Sequence, residues 1–129
     1  MKSREEFRVS GLAEPISHYT DAVRAGNLIF VSGVVPVDDD GSLVGGDDVT
    51  AQARQVFANL DACLKAAGAT FADVVKLTFF VTDIAYLPAI RAARDVYVDT
   101  SNPPAGTAVQ VVALFSPDAL LEVEAYAVV

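Results

Sequence analysis

The sequence is poor in the residue types that build disulfides and metal centres. It contains one cysteine (Cys63), one histidine (His18) and no tryptophan. A single cysteine excludes an internal disulfide and any site that needs several thiolates. One Cys and one His cannot assemble a zinc site from protein ligands alone. We therefore expect neither a metal nor another cofactor.

Basic residues are also scarce. Nine Lys and Arg face seventeen Asp and Glu, which gives a formal net charge of −8. Phosphate contacts need clustered cations, and this chain has no basic run. We therefore expect no nucleic-acid partner.

Long apolar runs are absent as well. No stretch approaches the ~20 apolar residues of a membrane-spanning helix, and residues 1–6 lead into no apolar signal segment. We expect a cytoplasmic protein with no membrane partner. The 129 residues, 53% of them hydrophobic, suffice for one domain over residues 1–129 with apolar surface left for a partner.

The first half of the chain changes from a strand pattern to a helix pattern. Residues 28–32 form a β-branched and aromatic run after the turn signal Gly26-Asn27 and predict a strand, which residues 34–37 extend weakly because Pro36 cannot donate a ladder hydrogen bond. A helix is predicted at residues 50–67, with Asp47, Asp48 or Thr50 as cap and Gly68 just past the end. Its apolar stripe consists of Ala53, Val56, Phe57, Leu60, Leu64 and Ala67.

The second half predicts three strands and a helix. Residues 73–82 form a long strand whose apolar face consists of Val75, Leu77, Phe79 and Val81. A helix follows at residues 87–98, with Pro88 in its first turn and Ile90, Ala93 and Tyr97 towards the core. Strands follow at residues 107–114 and 120–129. In the last one, Leu121, Val123, Ala125 and Ala127 share one face, and Glu122, Glu124 and Tyr126 share the other.

These elements predict a two-layer α+β domain in which two helices cover one face of a mixed sheet. The other face is not polar, because Phe80, Tyr126 and either Val109 or Val111 point there. A partner subunit would cover these side chains.

The order and spacing of the segments resemble the RidA/YjgF family, also known as the endoribonuclease L-PSP family. The resemblance extends over residues 15–129 and rests on residues 26–33, Gln55 to Leu60, Gly68, and residues 74–83, 102–105 and 121–125. It implies a chorismate-mutase-like fold and a homotrimer with clefts between subunits. It also implies an enamine or imine deaminase that releases a 2-oxo acid and ammonia from a small carboxylate-containing metabolite.

The resemblance also implies a set of site residues. Glu122 corresponds to the catalytic glutamate that positions water, and Tyr19, Ser32 and Gly33 shape the cleft. The family arginine that binds the substrate carboxylate falls on Gly106, and the backbone from Gly106 through Thr107 to Ala108 would line the cleft.

Glycine at position 106 changes the expected chemistry. Arginine holds a carboxylate through two parallel charge-assisted hydrogen bonds, whereas glycine offers one backbone N–H. Arg91, where related deaminases tend to have an asparagine, would replace the lost anchor if its guanidinium reached the cleft. The alternative is an ordinary solvated helix arginine.

Several alternatives stay open at this point. The chain is an enzyme with a divergent substrate, or a non-catalytic trimer that binds a small metabolite as a regulator. A third hypothesis is the ribonuclease or translation-inhibitor role often attached to this family, against which the net charge of −8 and the lack of a basic patch argue. His18 beside Tyr19 is a proton shuttle or an incidental loop residue. The run from Asp38 to Gly41 lacks full EF-hand spacing and is interpreted as a solvated turn. Cys63, beside the apolar stripe, is interpreted as a small buried hydrophobe.

Overall fold

The computed structural model describes residues 3–129. Its strands are β1 (Arg4–Phe7), β2 (Ala22–Ala25), β3 (Leu28–Val34), β4 (Val74–Val81), β5 (Ala105–Gln110) and β6 (Leu121–Val128). Its α-helices are α1 (Val49–Ala66) and α2 (Leu87–Arg94), and single 3₁₀ turns precede β4 and α2. Among the residues described, no helix is long and apolar enough to cross a membrane.

All six strands form one mixed sheet in the order β1-β2-β3-β6-β4-β5. Among the strands described, β4 and β5 are the one parallel pair, because α2 and its flanking turns connect them as a crossover. Helix α1 packs on β3 and β6 and against α2, which leaves the opposite sheet face open. The predicted α+β architecture, with two helices on one face of a mixed sheet, is confirmed.

The core lies between the helices and the sheet. The stripe of α1 supplies Val56, Phe57, Leu60 and Leu64, all fully buried. Alternate residues of β6 pack against this stripe from the sheet. They are buried, as their two-residue period predicts, and they are Leu121, Val123, Ala125 and Ala127.

Local signals fix the ends of α1 as predicted. The Asp48 carboxylate accepts the backbone N–H groups of Thr50 and Ala51 at 3.0 and 3.3 Å. Gly68 has φ +87°, which glycine adopts without a Cβ clash. A good cap contributes about 1 kcal/mol to helix stability.

The sequence-based order missed two N-terminal strands. Strand β1 forms the sheet edge, and three of its four residues are charged, as is common where an edge must resist pairing with other chains. It pairs with β2, which joins β3 through a two-residue hairpin turn at Gly26-Asn27. The predicted extension at residues 34–37 was wrong beyond Val34, because Val37 makes only an isolated bridge to Leu43.

The predicted faces of β4 need one correction. A register shift against β6 between Val74 and Lys76 reverses the alternation there, so that Val74 is buried and Val75 is exposed. Leu77, Phe79 and Val81 are buried as expected.

Two predicted elements were too long. Helix α2 stops at Arg94, although i→i−3 bonds continue the turn and bring the Tyr97 ring to 6.1 Å from that of Phe57. Strand β5 spans residues 105–110 and not 107–114. Within residues 3–129 it pairs with β4 alone, and β4 ends opposite Gln110.

The open face carries exposed apolar side chains. Phe30 and Tyr126 form an edge-to-face pair there with ring centroids 5.3 Å apart. The exposed side chains of Leu28, Val109 and Val128 extend this surface. Phe80, in contrast, is half-buried within the chain itself.

Candidate functional site

A cleft of about 840 Å³ lies at one end of β3. Its walls come from the loop between β1 and β2, the end of β3, the segment before β6, and β6 itself. The lining residues used below are Glu14, Tyr19, Asp21, Ser32, Gly33, Asn59, Cys63, Phe115, Glu122 and Glu124. The cleft therefore contains Tyr19, Ser32, Gly33 and Glu122, four of the residues that the sequence placed in the site.

Ser32 fixes the wall that carries Tyr19. Its hydroxyl donates to the carbonyl of Thr20 at 2.6 Å, and its backbone N–H donates to the carbonyl of Asp21 at 3.0 Å. Thr20 in turn donates to the carbonyl of Phe7 at 2.7 Å. These bonds hold the end of the loop against β3. The serine hydroxyl therefore shapes the site by fixing the position of the loop backbone that carries Tyr19.

A bulge in β3 gives Gly33 its place beside Glu122. Val31 pairs with Ala125 and Val34 with Val123, so two residues of β3 oppose the single residue Glu124 of β6. Bulges redirect side chains and are frequent next to active sites. Here the bulge turns the Cα of Gly33 towards the Glu122 side chain, and no room for a Cβ remains.

Glu122 is half-buried and faces the cleft from β6. Burial raises the pKa of its carboxyl above the ordinary value of 4.5, and the negative charge of Glu124 raises the pKa further. Within residues 3–129 no side-chain hydrogen bond or ion pair holds this carboxylate. A carboxylate of raised pKa that is free to accept a proton suits the role of a base towards water.

Asn59 is a site residue that the sequence analysis did not single out. Its amide donates to the carbonyls of Val35 and Val37 at 3.2 and 2.9 Å and accepts a bond from Gln55 at 2.8 Å. It thereby holds the irregular wall after β3. The available signal was an amide on the apolar face of α1, a position that requires a hydrogen-bond partner.

Cys63 lies on α1 at the inner end of the cleft and is 2% exposed. Burial, and secondarily the charge of Asp21, raises its pKa to about 12. The thiol stays protonated at neutral pH and is a poor nucleophile. The prediction of a small buried hydrophobe is confirmed.

Gly106 and Ala108 lie outside the cleft lining of their own chain. Both are on the edge strand β5 and pair with the buried Leu77 and Phe79, which places them towards the helices. Gly106 lines a second cavity of about 330 Å³ together with Arg94 and Asp95.

Thr107 lies on the open face in the same row as Thr78 and Glu124, two strands away from β6. Within one chain, residues 106–108 do not meet Glu122. The resemblance implies a cleft between subunits, and their place in that cleft stays a prediction.

Two further candidates lie outside the cleft lining of their own chain. Arg91 is exposed on α2, and His18 is exposed in the loop before Tyr19. The Asp38 carboxylate accepts the backbone N–H groups of Asp40 and Ser42, each at 3.0 Å, which fits the interpretation as a turn.

Comparison with known proteins identifies the family. The model of the endoribonuclease L-PSP family matches residues 11–129. The chain is 35% identical to the 3-aminoacrylate deaminase RutC of Acinetobacter baylyi over 96% of this chain and 97% of that protein. It is 36% identical to a 2-iminobutanoate/2-iminopropanoate deaminase of Salmonella typhimurium over 88% of each chain.

A solved structure agrees with these relatives. A protein of the conserved Rid family from Yersinia pestis superimposes with a TM-score of 0.91 and 32% identity, covering 98% of this chain and all 100% of that one. The sequence relatives and the structural neighbour thus identify the same family over nearly the full length of the chain. The chain belongs to the endoribonuclease L-PSP family, that is, to the RidA/YjgF or Rid/RutC proteins.

Proposed function

We propose that this protein is a deaminase that hydrolyses a small reactive imine or enamine acid to a 2-oxo acid and ammonia. The observation that carries the proposal is the half-buried, unpaired carboxylate of Glu122 in a cleft with Tyr19, Ser32 and Gly33. The relatives named as deaminases of 3-aminoacrylate and 2-iminobutanoate support the reaction class.

The reaction requires water to attack the imine carbon. The Glu122 carboxylate accepts a proton from the water as the C–O bond forms, and the nitrogen gains a proton. The tetrahedral carbinolamine then loses ammonia as the carbonyl forms. A positioned base typically contributes 10²–10⁴-fold to such a step.

We further propose that the working unit is a homotrimer whose clefts lie between subunits. The exposed apolar side chains of the open sheet face, including Phe30 and Tyr126, support burial against a second copy. Light scattering coupled to gel filtration tests this proposal, and a monomer at micromolar concentration contradicts it.

The decisive assay measures ammonia and 2-oxo acid released from freshly generated 2-iminopropionate and 2-iminobutyrate. We expect acceleration by the wild type, and a loss of roughly 10²-fold or more in Glu122→Gln, which keeps the shape and removes the base. Glu5→Gln, the same change on the exposed edge strand β1, should leave the rate unchanged.

Glycine at position 106 supports a second candidate, a non-catalytic trimer that binds a small metabolite. The Gly106→Arg variant distinguishes the two functions. If only that variant turns over the imines, the natural protein is a binder or acts on another substrate. If the wild type is active, the cleft works without the family arginine.

A further inference from the structure

The cleft opens where β3 and β6 separate. The two strands pair as far as Val34 and Val123, and β3 ends there, whereas β6 begins two residues earlier at Leu121. Glu122 is therefore the first residue of β6, counted from this pair towards the start of the strand, that β3 no longer covers. On the other side Glu122 still pairs with Phe80 of β4. The place of Glu122 thus depends on how the two strands are held apart.

Two buried amides of α1 lie behind this separation. Gln52 is 0% exposed and Asn59 is 7% exposed. They are seven residues or nearly two helical turns apart, so both lie on one face of α1, about 10 Å from each other along the helix axis. An unpaired polar group on a buried face is costly, so the partners of these amides matter.

Gln52 holds the chain that leads into β6. Its oxygen accepts the N–H of Leu120 at 2.7 Å, and its amide nitrogen donates to the carbonyl of Asp118 at 3.1 Å. Leu120 lies two residues before Glu122, and its own carbonyl accepts the N–H of Thr82 at 3.1 Å. Asp118 has φ +64°, a conformation that is uncommon for a residue with a side chain. Gln52 therefore fixes a tight turn directly before the strand that carries the glutamate.

Asn59 holds the chain that leaves β3. Its amide nitrogen donates to the carbonyls of Val35 and Val37 at 3.2 and 2.9 Å. Val35 lies two residues after Gly33, the residue that approaches the glutamate side chain. The side chain of Gln55 donates to the Asn59 oxygen at 2.8 Å, which sets the orientation of the amide. Each amide thus holds the backbone two residues from the close pair at the cleft.

We propose that Gln52 and Asn59 are positioning residues that determine where the Glu122 carboxylate lies, because they hold β6 and β3 apart on its two sides. Both act through the backbone and not on the substrate. The inference rests on the proposed function for the task of Glu122. The arrangement itself lies within one chain, since every hydrogen bond in the argument joins residues of the same chain.

Loss of either amide should change the surroundings of Glu122 in a defined direction. The freed backbone groups at Leu120 or Val35 would need water as their partner, since leaving them buried and unpaired costs free energy. Water would then enter at the point where the strands separate, and the Glu122 carboxyl would become better hydrated. Hydration favours the ionised form, so the titration of this carboxyl reports the change.

Two variants remove the hydrogen bonds and keep apolar side chains of similar size, namely Gln52→Met and Asn59→Leu. Leu64→Ala is the matched control. Leu64 lies on the same helix, is fully buried and does not line the cleft, so its truncation destabilises the fold and leaves both amides in place. If an apolar variant does not fold, Gln52→Glu or Asn59→Asp replaces it, because these changes remove only the amide donors. Circular dichroism selects a temperature at which every variant is folded.

The first readout is the titration of the Glu122 carboxyl by carbon-13 NMR, with the signal assigned through Glu122→Gln. We expect a midpoint above 4.5 in the wild type. Gln52→Met and Asn59→Leu should lower this midpoint towards 4.5, whereas Leu64→Ala should keep the wild-type value. The measurement needs no substrate. An unchanged midpoint in both folded amide variants overturns the inference.

Turnover of 2-iminopropionate is the second readout. A misplaced base slows the chemical step more than it weakens binding, so kcat should fall roughly tenfold or more in both amide variants while KM changes little. Leu64→Ala should keep its kcat. Equal losses in all three variants would indicate a general structural effect and overturn the positioning role. If the wild type hydrolyses no imine while the midpoints shift as expected, the proposed hydrolysis fails and the positioning of Glu122 stands.

Discussion

Gly33 and Glu122 lie so close together that a side chain at position 33 would overlap the glutamate side chain. A Cβ on Gly33 would lie 2.8 Å from Cδ and 2.9 Å from Oε2 of Glu122, closer than side-chain atoms pack. The bulge in β3 creates this approach, and the missing side chain permits it. Glycine here determines where the glutamate carboxylate lies.

A methyl group at position 33 should therefore displace Glu122. We expect Gly33→Ala to lower the free energy of unfolding by only about 1 kcal/mol or less, because the atoms it meets are the far end of a flexible, half-buried side chain that can turn aside. Imine hydrolysis should fall as well, because the water-orienting carboxylate moves. Urea denaturation measures the first effect and ammonia release the second.

Shortening Glu122 provides the control for this collision. The double variant Gly33→Ala/Glu122→Asp should recover most of the stability, since aspartate withdraws the carboxylate by one methylene. Additive losses of stability in the two single variants and the double variant would argue against a direct clash.

The raised pKa of Glu122 predicts a pH-dependent stability. The folded state binds the proton more tightly than the unfolded state, so stability falls as pH rises from the ordinary pKa of 4.5 through the folded pKa. Glu122→Gln removes this penalty. We expect its Tm to exceed that of wild type by about 1–3 °C at pH 7 and to match it near pH 3.5, where both states are protonated. Calorimetric scans measure both values, and an equal gain at the two pH values would contradict the explanation.

Cys63 should be inert in the folded protein. Its thiol is buried and its pKa is about 12, so little thiolate forms at pH 8. We expect no labelling by 5,5′-dithiobis(2-nitrobenzoate) in buffer over an hour, and complete labelling in denaturing urea. Fast labelling of the native protein would show that the inner end of the cleft opens.

Gln52 ties three parts of the fold together. It is fully buried, its amide donates to the carbonyls of Gly46 and Asp118 at 2.6 and 3.1 Å, and its oxygen accepts the N–H of Leu120 at 2.7 Å. Gln52→Leu removes all three hydrogen bonds from the backbone of two loops. We expect a loss of about 2–4 kcal/mol in unfolding free energy.

Gln55 on the same helix is the matched control. It is half-buried and makes one side-chain bond, to Asn59. Gln55→Leu should cost about 1 kcal/mol or less. If the two variants were equally stable, the hydrogen bonds of Gln52 would contribute no more to the free energy of unfolding than the single bond of Gln55.

Arg91 tests whether a second copy completes the cleft. Its side chain is exposed on α2, outside the cleft lining of its own chain. We expect Arg91→Ala to leave the free energy of unfolding within about 0.5 kcal/mol of the wild type, because an exposed helix side chain contributes little to stability. Isobutyrate titration is the informative companion. A measurable loss of carboxylate affinity in this variant would show that Arg91 replaces the family arginine across a subunit boundary.

Sequence periodicity was reliable where burial is continuous. The stripe of α1 and the alternation of β6 have one solvent side and one core side, so their patterns directly record the fold. The sequence pattern failed where the neighbouring strand, and not the segment itself, determines where a strand ends or which side chains are buried. Strand β5 ends because β4 ends, and Val75 is exposed because a register shift interrupts β4. Short edge strands such as β1 carry too few apolar residues to leave a pattern.

The sequence by itself determined the α+β class, the family and the residue types of the site, because hydrophobic spacing and turn residues act locally along the chain. It also identified Glu122 and Ser32 through their resemblance to related proteins. Only the tertiary structure decided which of these residues meet. The bulge that presses Gly33 against Glu122, and the separation of Gly106 from both, arise from strand register, and register is a property of paired strands that no single segment contains.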